Sequence, residues 1–225
     1  MGRIARVVAV GLPHHVTQRG NNRLPVFFAS ADRKDYLATL ARYCGEFGLT
    51  VWAYCLMGNH VHIIAVPEHD HSLARAIGRT NLIYTQRVNR KYRRTGRLWQ
   101  NRFFSSPVES GRYLWAVCRY VETNPVRAGL VERAWDFRWS SARHHVRQTP
   151  DPLVKESPWL DPAERGGYRR FLEERTEQEE EDRIRRTVVS GRPFGDKGFV
   201  DRLELKLGRI LRPGKRGPKT RRRTE

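Results

Sequence analysis

One stretch of the chain, residues 49–67, leaves few choices of local structure. Its first half, "LTVWAYCLM" (49–57), is rich in β-branched and aromatic residues, and its second half, "HVHIIAVP" (60–67), is another apolar run that ends at a proline. The dipeptide "GN" between them is a turn signal. Two such runs joined by a tight turn form an antiparallel hairpin. The chain is therefore expected to build an antiparallel sheet around this hairpin.

The segments on either side of the hairpin add further predicted elements. Residues 14–20 are expected to form a strand, and residues 32–47 a helix that has one apolar face and is closed by Gly48. The remaining predicted elements are a helix at 71–91, a strand at 97–110 and a helix at 111–124 that stops near Pro125. This order predicts an α+β domain of ferredoxin-like type, an antiparallel sheet with helices on one face.

The composition changes after about residue 148. A proline-rich connector leads into a charged segment, 162–187, which we expect to form one helix, and a short helix is expected at 198–209. The chain then ends in an arginine-rich tail with few apolar residues. We therefore divide the chain into a domain of residues 1–147 and a helical, basic C-terminal extension of residues 148–225.

The charge balance indicates the kind of partner. The chain has 43 Lys and Arg residues against 24 Asp and Glu, a formal net charge of +19. Such an excess favours a polyanion, and nucleic acid before all others. The three cysteines show no CxxC spacing, so neither a disulfide framework nor a structural zinc site is expected. No stretch approaches the length of a membrane span. We expect a cytoplasmic, nucleoid-associated protein with no membrane partner.

Two histidines interrupt the apolar run of the second hairpin strand. His60 and His62 are two residues apart, and side chains at that spacing on a strand point to the same face. Two neutral imidazoles side by side can form half of a metal site. The same pair can instead bond to backbone groups or lie exposed, and the spacing alone does not decide between these interpretations.

Tyr120 and Asn124 suggest a nucleophile and a third ligand. Their i, i+4 spacing on the predicted helix 111–124 places the phenol and the amide on one face. An amide oxygen is a hard ligand suited to Mg²⁺ or Mn²⁺, and a phenol beside a bound cation could attack a phosphodiester. Alternatively, Tyr120 packs in the core and Asn124, which precedes Pro125, caps the helix end.

Two longer stretches that contain these residues carry a family resemblance. "AYCLMGNHVHIIAVP" (53–67) and "YLWAVCRYVETNPVRAGLV" (113–131) resemble the single-tyrosine HUH transposases, and among them the REP-associated tyrosine transposases. The resemblance extends over residues 14–145, and "GRPFG" and "LRPGKRGPK" near the C-terminus are similar to the same family. One departure is Gly58, where many relatives carry proline; it lies in the turn and removes no ligand.

The resemblance implies an HUH fold and a specific reaction. His60 and His62 would be the metal ligands, with Asn124 completing the site where some relatives carry glutamine, and the metal would be Mg²⁺ or Mn²⁺. Tyr120 would be the nucleophile, giving a 5′-phosphotyrosine and a free 3′-hydroxyl. The implied activity is metal-dependent nicking and rejoining of single-stranded DNA beside hairpins, which for this subfamily are repetitive extragenic palindromes.

Other residues are expected to contact DNA or to pack in the core. The predicted DNA-binding residues are Arg19, Asn21, Arg127, Lys215, Arg216, Lys219, Arg221, Arg222 and Arg223, the last six of which lie in the tail. His14 and His15 are expected as surface imidazoles, although one of them could approach the metal site. Trp99 and Phe103 are expected to pack in the core, with stacking on unpaired bases as the alternative.

Two other functions compete with the nicking enzyme. One is a catalytically inactive protein that binds hairpins and regulates nucleic acid. The other is a metal hydrolase that uses water directly and needs no tyrosine. We expect the chain to act as a monomer or a homodimer.

Overall fold

The computed structural model describes residues 5–155 and 157–213. Its first elements are β1 (His14–Arg19), α1 (Ser30–Phe47), β2 (Leu49–Leu56), β3 (His60–Pro67), α2 (Ser72–Lys91), β4 (Phe104–Pro107) and α3 (Arg112–Glu122). The strands form one sheet in the order β2-β3-β1-β4, and every neighbouring pair is antiparallel. The predicted α+β class and the ferredoxin-like order of elements are confirmed.

The hairpin predicted from residues 49–67 occupies the centre of this sheet. β3 pairs with β2 on one side and with β1 on the other. His62 lies opposite Cys55 of β2 and Thr17 of β1, and His60 lies opposite Arg19. The two histidines therefore stand on a strand whose register is fixed from both sides.

Helices cover both faces of the sheet, which corrects the expectation of helices on one face. Val61 and Ile63 of β3 belong to an apolar cluster formed with α1 and α2. Ile64 points the other way, into a second cluster that includes Leu114 and Val117 of α3. α3 thus lies on the face opposite α1 and α2, which is also the face toward which His60 and His62 project.

Two predicted elements are shorter than expected. The strand predicted at 97–110 is regular only over β4; residues 97–103 are irregular, although hydrogen bonds of 2.9 Å from Gln100 and Asn21 hold this segment beside the end of β1. Trp99 and Phe103, 7% and 5% exposed, pack in the core as expected. The predicted helix 111–124 ends at Glu122.

A separate short helix, α4 (Asn124–Arg127), follows α3 directly. Pro125 explains the break, because proline has no N–H with which to continue α3. At the start of a new helix that N–H is not needed, and Pro125 occupies this position in α4. The sequence analysis places Tyr120 and Asn124 one turn apart on a single helix. In the structure Tyr120 lies on α3 and Asn124 begins α4.

The C-terminal extension contains two helices where one was predicted over 162–187. After α5 (Ala142–Arg147) come α6 (Arg165–Glu173), α7 (Gln178–Ser190) and α8 (Lys197–Leu207), the last close to the predicted short helix. Glu174 and Glu177 both adopt extended backbone conformations, which break the predicted helix. The break lets Tyr168 of α6 and Ile184 of α7 reach the same apolar cluster beside α3.

The extension shares its core with the rest of the chain. Leu114 of α3 and Ala53 of β2 lie in one cluster with Leu160 and Tyr168. Residues on both sides of position 148 thus pack together, and the division into 1–147 and 148–225 stays a prediction. Within the described ranges, no helix combines the length and apolarity needed to cross a bilayer.

Candidate active site

β3 brings the two histidines together on the α3 face of the sheet. The ring centroids of His60 and His62 are 5.2 Å apart, and the rings are nearly perpendicular at 89°. His60 is half-buried, whereas His62 is only 6% exposed. The strand spacing in the sequence correctly predicted that these imidazoles project from the same face.

The neighbours of His60 fix its tautomer. Its Nδ1 lies 2.7 Å from Oδ1 of Asn59, while the amide nitrogen of Asn59 donates to the carbonyl of Arg23 at 2.9 Å. An amide oxygen only accepts, so Nδ1 of neutral His60 carries the proton and Nε2 keeps its lone pair. Burial lowers the pKa of His60 to about 4, a shift that a side-chain hydrogen bond with Asn124 partly opposes.

His62 is held by a third imidazole from β1. Its Nδ1 lies 2.9 Å from Nε2 of His15, and the two rings stack with centroids 5.1 Å apart. Burial is the main reason that the pKa of His62 lies well below its usual value, and the charges of His15 and His60 lower it further. Burial likewise lowers the pKa of His15 to about 3. Both rings are therefore neutral at pH 7.

The expectation of surface imidazoles at His14 and His15 is wrong. Both are essentially fully buried, and they point to opposite faces of β1. His14 bonds to the carbonyl of Leu12 at 2.8 Å and accepts from the backbone N–H of Ala9 at 3.1 Å, away from the site. Their burial could not be predicted from the sequence, because it results from the pairing of β1 with both β3 and β4, which makes β1 an interior strand.

α3 places Tyr120 against the histidine pair. The ring of Tyr120 meets His62 edge-on, with centroids 5.5 Å apart, and it lies 5.9 Å from the ring of His15. Its side chain is 5% exposed. Asn124, at the start of α4, is half-buried and reaches back to the same region, with its Nδ2 3.4 Å from the carbonyl oxygen of Tyr120. The structure thus brings His60, His62, Tyr120 and Asn124 together.

Arg127, one of the predicted DNA-binding residues, lies beside the tyrosine. Its guanidinium carbon is 4.5 Å from the centroid of the Tyr120 ring, and Nη2 donates to the carbonyl of Tyr120 at 2.7 Å. Nη1 donates to Thr123 at 2.6 Å, and Nε is 3.4 Å from a carboxylate oxygen of Glu181 on α7. The guanidinium, whose pKa burial lowers, is therefore oriented on three sides.

The other predicted DNA-binding residues are more dispersed. Arg19 is exposed at the end of β1, opposite His60, and Asn21 is half-buried in the turn that follows. The six tail residues, Lys215, Arg216, Lys219, Arg221, Arg222 and Arg223, lie outside the described residues. Of the predicted DNA-binding residues that the structure describes, Arg127 thus lies beside Tyr120 and Arg19 lies at the end of β1, opposite His60.

The predicted donor set would offer a divalent cation two nitrogen ligands and one oxygen ligand. Among residues 5–155 and 157–213, no group of three or more His, Cys, Asp or Glu side chains is placed to hold a metal ion. The predicted set differs, because its third member is the amide of Asn124. Neutral imidazole is a common ligand of divalent metal ions, and the amide oxygen is a hard ligand of the kind that Mg²⁺ and Mn²⁺ prefer, with further positions left for water or phosphate oxygens.

A buried carboxylate that the sequence analysis missed anchors the tyrosine helix. Glu122 is fully buried at the end of α3 and accepts hydrogen bonds from Ser141, from Nδ1 of His145 at 2.7 Å and from the hydroxyl of Tyr168 at 2.8 Å. A signal was present, because Glu122 lies four residues after Cys118, on the apolar face of α3. A charged residue on such a face requires buried partners.

The chain is similar to known transposases in sequence and in fold. The family described as IS200-like transposases matches residues 9–124. A curated protein of Haemophilus influenzae, described as "Putative REP-associated tyrosine transposase", is 25% identical over an alignment of 124 residues that covers 50% of this chain and 70% of that protein. A solved structure, described as a REP-associated tyrosine transposase bound to a REP hairpin, is similar in fold.

The superposition of this chain on the hairpin-bound structure has a TM-score of 0.57 at 18% identity. It covers 72% of this chain and 94% of the chain in that structure. At this level of identity it shows a shared fold. The family match is broader evidence, because it spans more than half of the 225 residues and includes the histidine pair, Tyr120 and Asn124. The chain therefore belongs to the IS200-like transposase family, whose activity is DNA transposition.

Proposed function

We propose that this protein nicks and rejoins single-stranded DNA beside hairpins, with Tyr120 as the nucleophile. The observation that carries the proposal is the contact of Tyr120 with the histidine pair, at 5.5 Å between the ring centroids of Tyr120 and His62. Tyr120 also belongs to the buried apolar cluster beside α3. Packing alone does not require imidazole neighbours, whereas a nucleophile that attacks phosphorus needs groups beside it that stabilise charge on the phosphate.

In the proposed reaction, the phenol oxygen of Tyr120 forms a bond to phosphorus and the bond from phosphorus to the 3′ oxygen breaks. The phenol loses its proton and the leaving 3′ oxygen gains one, so the products are a 5′-phosphotyrosine and a free 3′-hydroxyl. Attack by a 3′-hydroxyl on the phosphotyrosine reverses these bond changes and joins a strand. The covalent intermediate conserves the energy of the phosphodiester.

The residues around Tyr120 have distinct parts in this reaction. Arg127 is positioned to pair with the phosphate beside Tyr120, since its guanidinium lies 4.5 Å from the ring. Arg19 extends the positive charge to the rim of the site. His60, His62 and Asn124 would hold Mn²⁺ or Mg²⁺, which when bound polarises the phosphodiester and offsets its developing charge.

Hairpin DNA is the proposed substrate, on two grounds. The similar solved structure is described as bound to a REP hairpin. This chain also carries a net charge of +19, and its predicted basic tail would contact the backbone of a stem. We also propose that the protein acts in the cytoplasm, at the nucleoid, and that it does so as a monomer or a homodimer.

The test uses a labelled single-stranded hairpin oligonucleotide taken from repeats near this protein's own gene. Incubation with Mn²⁺ should give a slow, protease-sensitive adduct on a denaturing gel. Tyr120→Phe and EDTA should each abolish the adduct, while native-gel binding survives in Tyr120→Phe. Tyr113→Phe is the matched control, because Tyr113 lies on the same helix but packs against Phe194.

The competing functions give different results in this assay. Binding of hairpins without cleavage in either metal, across a panel of repeat sequences, would support the inactive regulator. Cleavage that survives in Tyr120→Phe without an adduct would support a hydrolase that uses water. An adduct that persists in Tyr120→Phe would show that another residue is the nucleophile.

A further inference from the structure

His15 has no part in the reaction proposed above, yet it is hydrogen-bonded to His62. It is 1% exposed, and its Nε2 lies 2.9 Å from Nδ1 of His62. Its ring stacks on His62 and also contacts the edge of Tyr120, with centroids 5.9 Å apart. Burying an imidazole costs free energy of folding unless its ring nitrogens are hydrogen-bonded.

The two histidines of β3 are held in parallel ways. Each has its Nδ1 within 2.9 Å of one neighbour, Asn59 for His60 and His15 for His62. For His60 the neighbour is an amide oxygen, so the proton must sit on Nδ1 and leave Nε2 bare. For His62 the neighbour is another imidazole nitrogen, which can either donate or accept. The direction of this one hydrogen bond decides which nitrogen of His62 has a free lone pair.

We propose that His15 accepts this hydrogen bond and is the positioning residue that fixes His62 in its Nδ1–H tautomer. Nε2 of His62 is then bare, as Nε2 of His60 already is, and both nitrogens are available to a metal ion. If His15 donated instead, the proton of neutral His62 would sit on Nε2 and block ligation there. The inference rests on the proposed function and deepens it, because it assigns the residue that prepares the second ligand.

The packing around His15 suits it to hold the ring of His62 in one orientation. Stacking against His62, with 27° between the ring planes, restricts rotation of both rings. β1 itself is held by β3 and β4 on its two sides, so the hydrogen bond joins residues of two paired strands rather than of a loop. A partner that orients a ligating histidine in this manner typically contributes about 10–100-fold to metal affinity.

The first test reads the tautomer directly and needs no metal. Long-range ¹H–¹⁵N correlation spectra of the full chain labelled with ¹⁵N-histidine distinguish a protonated ring nitrogen from a bare one. The expected result for His62 is a protonated Nδ1 and a bare Nε2, with a bare Nε2 on His15. A protonated Nε2 on His62 in the wild-type chain would overturn the proposal without any variant.

The second test measures affinity for Mn²⁺ alone, from the electron paramagnetic resonance signal of the free ion. His15→Phe keeps a ring in the stack but has no acceptor, and it should weaken binding by about 10–100-fold. His15→Gln places an amide oxygen near the lost Nε2 and should recover most of the affinity. His14→Phe is the control, because it removes a buried imidazole from the opposite face of β1.

These outcomes separate the inference from the function on which it rests. Unchanged Mn²⁺ affinity in folded His15→Phe would overturn the inference alone, because wild-type binding would still support the metal site. A wild-type chain that binds no Mn²⁺ would refute the metal site and the inference together. Equal losses in His15→Phe and His14→Phe would show that general packing, rather than the tautomer of His62, sets the affinity.

Discussion

The buried carboxylate of Glu122 allows the strongest prediction about stability. Glu122→Ala removes the acceptor of three side-chain hydrogen bonds, from Ser141, His145 and Tyr168, in a fully buried place. Each buried donor left without a partner costs about 1–3 kcal/mol. Breaking a buried pair by removing one member costs about 3–5 kcal/mol, and we expect a loss in this range.

A loss of this size is large enough to measure. At roughly 2–4 °C for each kcal/mol in a chain of this length, the melting temperature should fall by roughly 6–20 °C. Calorimetry or circular dichroism would measure the shift. Glu122→Gln keeps one acceptor oxygen, so it should cost only about 1 kcal/mol.

Glu174→Ala is the matched control for a carboxylate in the same region. Its side chain is 65% exposed and lies 3.8 Å from Arg119, an arrangement worth about 0–1 kcal/mol. Equal melting temperatures for Glu122→Ala and Glu174→Ala would refute the reasoning. They would show that the buried hydrogen bonds of Glu122 contribute nothing to the free energy of unfolding.

Three further predictions concern catalysis, pH and salt. Arg127→Ala should lower the rate of adduct formation by about 10²–10³ in single-turnover assays, as loss of one charge-stabilising donor does, whereas Arg133→Ala, in an exposed pair with Asp136, should not change it. Burial gives His14 a pKa of about 4 when folded, against 6.5 for an exposed imidazole. The unfolded chain therefore binds the proton first, and urea melts should show stability falling as pH drops from about 6.5 to about 4; a flat profile would contradict this. Deleting residues 214–225, which hold six of the predicted DNA contacts, should reduce the slope of log K against log salt by up to about 4–5; an unchanged slope would show that the tail does not bind.

The sheet and the histidine pair could be predicted because the information is local. Apolar runs, a turn dipeptide and a two-residue spacing are sufficient to place His60 and His62 on one face of a hairpin strand. The break of α3 before Pro125 is also local in origin, but the sequence could not show whether the chain would stop or begin a new helix there. α4 begins at once and brings Arg127 back over Tyr120.

What the sequence could not supply is contact between distant segments. His15 and His62 are 47 residues apart, and Glu122 and Tyr168 are 46 apart. Only the pairing of β1 with β3 and the folding of α6 onto α3 bring these groups together. The split of the charged segment into α6 and α7 has the same cause, because two apolar faces had to reach one cluster.

The alternation of imidazole and aliphatic side chains along β3 limits which insertions and deletions this strand tolerates. His60 and His62 alternate with Val61 and Ile63, which fill the core on the other face. Inserting or deleting a single residue between the turn at Gly58 and His62 would exchange the two sets, turning the imidazoles into the core and the aliphatic side chains into the site. Sequence changes that keep both imidazoles on the α3 face of the sheet are therefore confined here to replacements that do not alter the length.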